Sequence, residues 1–251
     1  MNVSEKTAEV NVAIRRLIEA VAIGTAVVLT AGCGGGGGGS NTPGTTTAAS
    51  GLSYSTTFPA TENPISESGN WTNTVLNTWN AVSTVGGTPG HAVSPRSQGF
   101  TDGVAMLVGP YGQNQTVTVK AYHTGGLTAA EIEIHLRMSM VPGSPDQIFT
   151  YEVDILPGSS QITLAKWTGS LGIFAPLISR PISGIADGDI FVASAIGPPS
   201  STVITAWKNG TQILTFTDAS GLTGNPGIGF DAGNQADGAA FGIKSYSVVT
   251  N

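Results

Sequence analysis

Glu131-Ile-Glu-Ile-His-Leu-Arg-Met-Ser-Met140 alternates polar and apolar side chains for ten residues, and this run decides the fold class. A period of two is what a strand shows when one of its faces is buried and the other is not. On that reading Glu131, Glu133, His135, Arg137 and Ser139 share one face, and Ile132, Ile134, Leu136, Met138 and Met140 share the other. The same period runs through Thr116-Val-Thr-Val-Lys-Ala-Tyr122, Tyr151-Glu-Val-Asp-Ile155, Gln161-Ile-Thr-Leu164 and Val203-Ile-Thr-Ala-Trp207. Turn formers separate these runs: Pro142-Gly143, Pro157-Gly158 and Pro198-Pro199. Asn209-Gly210, between Val203–Trp207 and Ile213–Phe216, predicts a two-residue hairpin because both residues tolerate positive φ. Beyond the N-terminal segment no stretch has the caps and the 3.6-residue period of a long amphipathic helix. The chain is therefore expected to be all-β, an antiparallel sandwich in which the apolar face of one sheet covers that of another.

The first fifty residues have a different composition. Arg15 and Arg16 precede a mostly apolar stretch from Ala20 to Leu29, small residues follow, and then comes Cys33, the one cysteine of the chain. This is the layout of an export signal, too short to span a bilayer as a helix. Its ending resembles the lipobox of bacterial lipoproteins, in which the cysteine is lipidated and becomes the first mature residue. That resemblance implies membrane anchoring through Cys33, and Gly34 behind it is compatible with the outer membrane or cell surface. The alternative is an ordinary cleaved signal with an incidental cysteine. Residues 34–51, GGGGGGSNTPGTTTAASG, hold no charge and no large apolar side chain, so they read as a flexible tether. The expected division is thus a signal over 1–32, lipidated Cys33 with its linker over 33–51, and one domain over 52–251. A net charge of -6 with no basic stripe argues against nucleic acid as a partner. A single cysteine leaves the domain without an internal disulfide, so its stability must come from a packed core.

Several landmarks in the domain resemble the concanavalin A-like lectin/glucanase superfamily. They are Phe58-Pro-Ala-Thr-Glu62, Ser68-Gly-Asn-Trp71, Ala206-Trp-Lys-Asn-Gly210, Thr217-Asp-Ala-Ser220 and Gly224-Asn-Pro-Gly-Ile-Gly-Phe230. The resemblance implies a jelly roll of two curved sheets whose first and last strands are neighbours. It also implies a choice among sugar-binding modules, laminin G-like adhesion domains, glucanases and lyases.

Sugar recognition combines an aromatic platform with amides and carboxylates that read hydroxyls. Trp79 and Trp167, beside polar or turn residues, are the platform candidates, while Trp71 and Trp207 are assigned to the core. Glu131, Glu133, His135 and Arg137, with Glu152 and Asp154 on a nearby strand and Tyr122 on the preceding one, would form a polar groove if their faces coincide. The alternative is a solvated face whose charges pair across strands. Carboxyls at i and i+2 have the spacing a glycosidase needs, but the Glu-x-Asp-x-x-Glu run of the superfamily's glucanases is incomplete in Glu131-Ile-Glu-Ile-His-Leu136. A lyase would draw on Tyr122, His135 and Arg137. The histidines, His91, His123 and His135, are scattered, which argues against a zinc site of ordinary spacing. No cofactor is expected; calcium is the one ion retained, with oxygen ligands from Asp187-Gly-Asp189 or the segment from Asp231 to Asp237, and the alternative for Asp187-Gly-Asp189 is an ordinary turn. The expected function is non-catalytic, lectin-like binding of polysaccharide by a membrane-tethered module. A polysaccharide-degrading enzyme and a laminin G-like adhesion module are the alternatives.

Overall fold

The computed structural model describes residues 51–72, 80–94, 102–125, 130–143, 146–170, 172–232 and 240–251. By contacts the chain separates into Met1–Ala49 and Ser50–Asn251, and every described residue belongs to the second unit. In chain order the strands are β1 (Ser53–Thr56), β2 (Trp71–Thr72), β3 (Asn80–Ala81), β4 (Ser83–Val85), β5 (His91–Val93), β6 (Asp102–Leu107), β7 (Gln115–His123) and β8 (Glu131–Val141). They continue with β9 (Gln147–Leu156), β10 (Gln161–Gly169), β11 (Phe174–Pro181), β12 (Ile190–Ile196), β13 (Thr202–Lys208), β14 (Thr211–Asp218), β15 (Asn225–Asp231) and β16 (Phe241–Thr250). Among the described residues there is one 3₁₀ turn, Pro199–Ser201, and no α-helix.

These strands make a two-sheet jelly-roll sandwich. Sheet A runs β14-β13-β12-β7-β16-β5-β4, with β1 also on β16; sheet B runs β11-β10-β9-β8-β15-β6-β2, with β3 also on β6. All pairings are antiparallel except the two-residue β3–β6 contact. The first and last strands are neighbours, Ser53 opposite Val249 and Thr56 opposite Tyr246. At the β13–β14 hairpin Asn209 and Gly210 take φ of 49° and 80°, and Lys208 pairs with Thr211 across the turn. Primed turns of this kind match the right-handed twist of the flanking strands, which is why this dipeptide could be read from sequence.

The core lies between the sheets. Val117 and Val119 of β7, Phe191 of β12 and Tyr246 of β16 meet Ile132 and Ile134 of β8, Val153 of β9 and Phe230 of β15, all buried. Trp71 is there too, as expected, edge-on to Tyr54 and Tyr246 with its indole N–H donating to the Tyr54 hydroxyl (3.0 Å). Trp207 departs from the expectation. It is half-buried, lies in neither apolar cluster, and sits opposite Val192 next to a register shift at Ala206/Trp207. It shares the outer face of sheet A with Val203, as their alternation requires; the core is reached instead by Ile204 and Ala206.

The ten-residue alternation also breaks, once. Between Leu136 and Ser139 the β8–β9 register shifts, and Arg137 adopts φ 53°. This is a β-bulge, and beyond it the two faces exchange. Arg137 therefore does not join Glu133 and His135. Its fully buried guanidinium donates to the carbonyls of Gln113 (2.8 Å), Gly197 (2.6 Å) and Leu222 (3.2 Å) and to Thr202 Oγ1 (2.7 Å). Its own N–H donates to Gln115 Oε1 at 2.8 Å. The left-handed conformation costs about 1–2 kcal/mol, and a satisfied guanidinium tying three loops to two strands offsets it. Met138 and Met140, expected to face the core, face outward with Trp167 instead.

Candidate functional site on the outer face of sheet B

Because Ile132, Ile134 and Leu136 face the core, the alternating Glu131, Glu133 and His135 stand on the opposite face of sheet B. The register brings others beside them. Glu133 is paired with Asp154 and His135 with Glu152 across β9, while Asp231 is paired with Glu131 across β15 and with Asp102 across β6. Donor atoms of Glu133, His135 and Glu152 lie within 4.8 Å of one another, as do those of Glu131, Glu133 and Asp154. His135 Nε2 is 3.1 Å from Glu133 Oε2, and its Nδ1 is 3.9 Å from Glu152 Oε2 and 3.3 Å from Thr150 Oγ1.

The cluster is buried: relative exposures are 3% for Glu133, 1% for His135, 5% for Glu152 and 8% for Asp154. Burial raises Glu133 well above the carboxylate range, and the neighbouring charges of Glu152, Asp102, Asp154 and Glu131 raise it further. Asp154 is raised by burial and then by Glu152 and Glu131. Glu152 is pushed up to about 7 by burial, against hydrogen bonds from Trp167 and Asp154 that lower it. Burial lowers His135 to about 3. The Glu133–His135 contact is consequently a hydrogen bond involving a neutral imidazole, rather than an ion pair.

Two glycines make this crowding possible. Gly229 is paired with Glu133 and Gly227 with His135. A Cβ on Gly229 would stand 2.1 Å from Glu133 Oε2 and 2.5 Å from His135 Nε2, so only a residue without a side chain leaves room for both. The sequence carried that signal in Gly227-Ile-Gly229, an i, i+2 pair on one strand face, but its partner strand was not legible.

Along the same face lies an apolar strip of Val104, Met138, Ile148 and Trp167, flanked by partly buried Met106, Met140 and Phe174. Trp167 is 5% exposed and packs on Phe174 at 4.7 Å between ring centroids, so Phe174 is the more open of the two rings. Half-exposed Asp102, Glu131 and Asp231 form the opposite end of the face.

Of the residues singled out in the sequence, Glu131, Glu133, His135, Glu152, Asp154 and Trp167 meet on this face. Tyr122 does not: β7 belongs to sheet A, where Tyr122 stacks on His91 (4.2 Å between centroids) under the Lys244 ammonium. With Arg137 turned inward, the lyase set of Tyr122, His135 and Arg137 is dispersed over three places. Trp79 and Cys33 lie outside the described residues, as does most of the segment from Asp231 to Asp237. The Asp187-Gly-Asp189 turn does not have the form of a calcium loop. Asp187 accepts from the His123 N–H and pairs with Lys244, and Asp189 accepts from the Ala186 N–H and pairs with Lys208.

The chain is similar in structure to a GH43 glycoside hydrolase described as having both endo-xylanase and exo-arabinofuranosidase activity, with a TM-score of 0.51 and 14% identity. That match covers 82% of this chain and 42% of the other, so this chain spans less than half of that enzyme. It is also similar to the carbohydrate-binding module CBM66 from Bacillus subtilis (TM-score 0.47, 10% identity, covering 72% of this chain and 92% of that one). A third likeness is to the lumenal domain of VIP36 in its Ca²⁺/Man3GlcNAc-bound form (TM-score 0.49, 11% identity, covering 68% and 82%). At identities this low the likeness concerns the fold alone, and the first match carries it. No family model and no curated protein matches the chain.

Proposed function

We propose that the sandwich binds glycan without cutting it, on the outer face of sheet B, and that it is presented from a bacterial membrane by lipid on Cys33. One observation supports the binding face above the others: a row of carboxyls (Asp102, Asp231 and Glu131) and a strip of apolar side chains ending at Phe174 lie on a single sheet surface. A pyranose presents the complementary pair, hydroxyls on its rim and C–H groups on its faces. The absence of catalysis rests on Glu133 and Leu136 standing where the Glu-x-Asp-x-x-Glu run of the superfamily's glucanases has its aspartate and its last glutamate.

Affinity electrophoresis in gels containing a panel of polysaccharides, xylan among them, tests the reading. The protein should be retarded by at least one polysaccharide, and both Glu131→Gln and Phe174→Ala should weaken the retardation. Unchanged migration in every gel would overturn it. Anchoring is tested separately by palmitate labelling of expressing cells: the label should vanish, and the protein become soluble, in Cys33→Ser.

A second reading, hydrolysis, is favoured by one feature, the Glu152 carboxyl at about 7, where a general acid is effective near neutral pH. Release of reducing ends from the retarding polysaccharide, abolished in Glu152→Gln, would select it over simple binding.

A further inference from the structure

We propose that Glu133, His135, Glu152 and Asp154 form a site for one divalent transition-metal ion, with zinc the fitting member of that class. Two overlapping donor sets converge there, each within 4.8 Å, and Glu133 belongs to both. Metal ligands bound at about 2.0–2.2 Å from a shared ion must themselves lie within roughly 3–4 Å of each other, and His135 Nε2 already lies 3.1 Å from Glu133 Oε2.

A separate observation distinguishes this cluster from an ordinary acidic patch. Asp154 is 8% exposed, and its Oδ1 is buried with no hydrogen-bond partner. Buried carboxylate oxygens normally have a donor, and an orphan among other carboxyls indicates a missing positive partner. Among the described residues no lysine or arginine pairs with Glu133, Glu152 or Asp154. Buried Arg137 has carbonyls as its partners, and Asp187 and Asp189 each have a lysine. The glycine at 229 reserves the space in front of Glu133 and His135.

The donor set also selects the metal. Calcium and magnesium take oxygen ligands, whereas one imidazole nitrogen with carboxylate oxygens suits zinc and its first-row neighbours. With His135 Nε2 toward Glu133, its Nδ1 contacts Thr150 Oγ1 at 3.3 Å, which fixes the ring as an outer hydrogen bond does in known metal sites. The scattered histidines and the single cysteine argued against a zinc site of ordinary spacing; this site uses one histidine, and its remaining ligands are carboxylates from two adjacent strands.

The test is equilibrium dialysis of the metal-free, full-length protein against Zn²⁺ and, in parallel, Ca²⁺, with bound metal counted by mass spectrometry and no sugar present. One Zn²⁺ per chain is expected, with Ca²⁺ at least about tenfold weaker. His135→Ala and Asp154→Asn should each weaken zinc binding by about tenfold or more, with far-UV circular dichroism confirming the sandwich. If His135→Ala does not fold, the zinc X-ray absorption spectrum of the wild-type protein decides: an oxygen-rich shell with one imidazole supports the site. No stoichiometric zinc uptake by the wild type, uptake that survives in folded His135→Ala, or a sulfur-containing shell would overturn it. Because uptake is read without sugar and gel retardation without added metal, failure of one proposal is distinguishable from failure of the other.

Discussion

Two groups of carboxyls in this molecule behave in opposite ways. Asp187, Asp189 and Asp218 each sit at a turn, accept backbone N–H groups and carry a lysine: Lys244, Lys208 at 3.0 Å and Lys166 at 2.6 Å, respectively. All three are held below the usual carboxylate range. For Asp218 burial works to raise it and is outweighed by Lys166, Tyr151 and Ser220. Glu133, Glu152 and Asp154 face one another instead, and all three are held above it. Local residue chemistry is the same in both groups; what differs is the partner the fold supplies. Pairing a carboxylate with lysine at a turn stabilises a loop. Packing carboxylates against each other stabilises nothing by itself, so a fold that keeps them together points to a ligand.

The paired group is broken most severely at Lys208. Its ammonium is 8% exposed, and besides Asp189 it donates to the carbonyls of Ser183 and Gly184. Lys208→Ala leaves Asp189 with its charge partly buried and two carbonyls without their donor, and should cost about 3–5 kcal/mol in urea denaturation. A loss under about 1 kcal/mol would mean that this pair is as weakly coupled as one in water.

The unpaired group is probed by pH in the metal-free protein. Glu152 titrates near 7 in the fold against 4.5 for the free side chain, so the folded state holds the extra proton between those values. The Glu152 contribution to stability should therefore be full near pH 4.5 and be lost as pH rises to 7, by an amount on the order of 3 kcal/mol. Glu133 and Asp154, also raised, carry the decline further, and His135, lowered to about 3, opposes it below the free imidazole value of about 6.5. Burial sets the Glu152 shift, Asp231 on β15 adds to it, and hydrogen bonds from Trp167 on β10 and Asp154 on β9 oppose it. Asp218 has the opposite sign. Its depressed value contributes stability above the unfolded pKa of about 4 that is lost as pH falls below it. Urea midpoints from pH 3 to 8 should trace a maximum between the two effects, and saturating Zn²⁺ should remove the decline on the alkaline side. Flat midpoints from pH 5 to 8 without metal would show that the acidic face relaxes or hydrates.

A smaller effect is expected at Gly229. Its Cβ in Gly229→Ala would force Glu133 and His135 apart, and overpacking of this sort costs about 1–3 kcal/mol. Zinc uptake should fall with it, whereas Gly210→Ala, open to solvent in the β13–β14 turn, should disturb stability through its φ of 80° and leave zinc uptake intact.

The legibility of these features in the sequence followed the range of the interactions. Alternation in Glu131–Leu136 and Tyr151–Ile155 located both the core positions and the residues of the acidic face, because a strand's period is a local property. Asn209-Gly210 announced its hairpin for the same reason. The bulge at Arg137 was hidden, since it depends on Thr202, Gly197 and Leu222, distant in sequence, receiving a buried guanidinium. Tyr122 was misplaced because period gives the face of a strand but not which sheet the strand joins; β7 pairs with β12 and β16 rather than with β8. Trp207 was misassigned because its place in a landmark and its alternation with Val203 were read as core signs, whereas Val203 itself lies on the exposed face. The burial of Glu133 and Asp154 could not be read either, as the motif Glu-Ile-Glu-Ile suits a solvated face equally well.

The least costly change is the one that tests whether burial, and not pairing alone, separates the two groups. Lys244 and Asp187 form an ion pair at side-chain exposures of 23% and 45%, in contrast to 8% and 13% for Lys208 and Asp189. Water screens the first pair, and a held lysine loses rotamer freedom, so Lys244→Met should cost no more than about 1 kcal/mol, and less at 1 M salt. Lys208→Ala should keep most of its cost at that salt, because counterions do not reach a partly buried pair. Equal losses for the two variants, with equal salt dependence, would mean that partner identity alone sets the energetics of a carboxylate here.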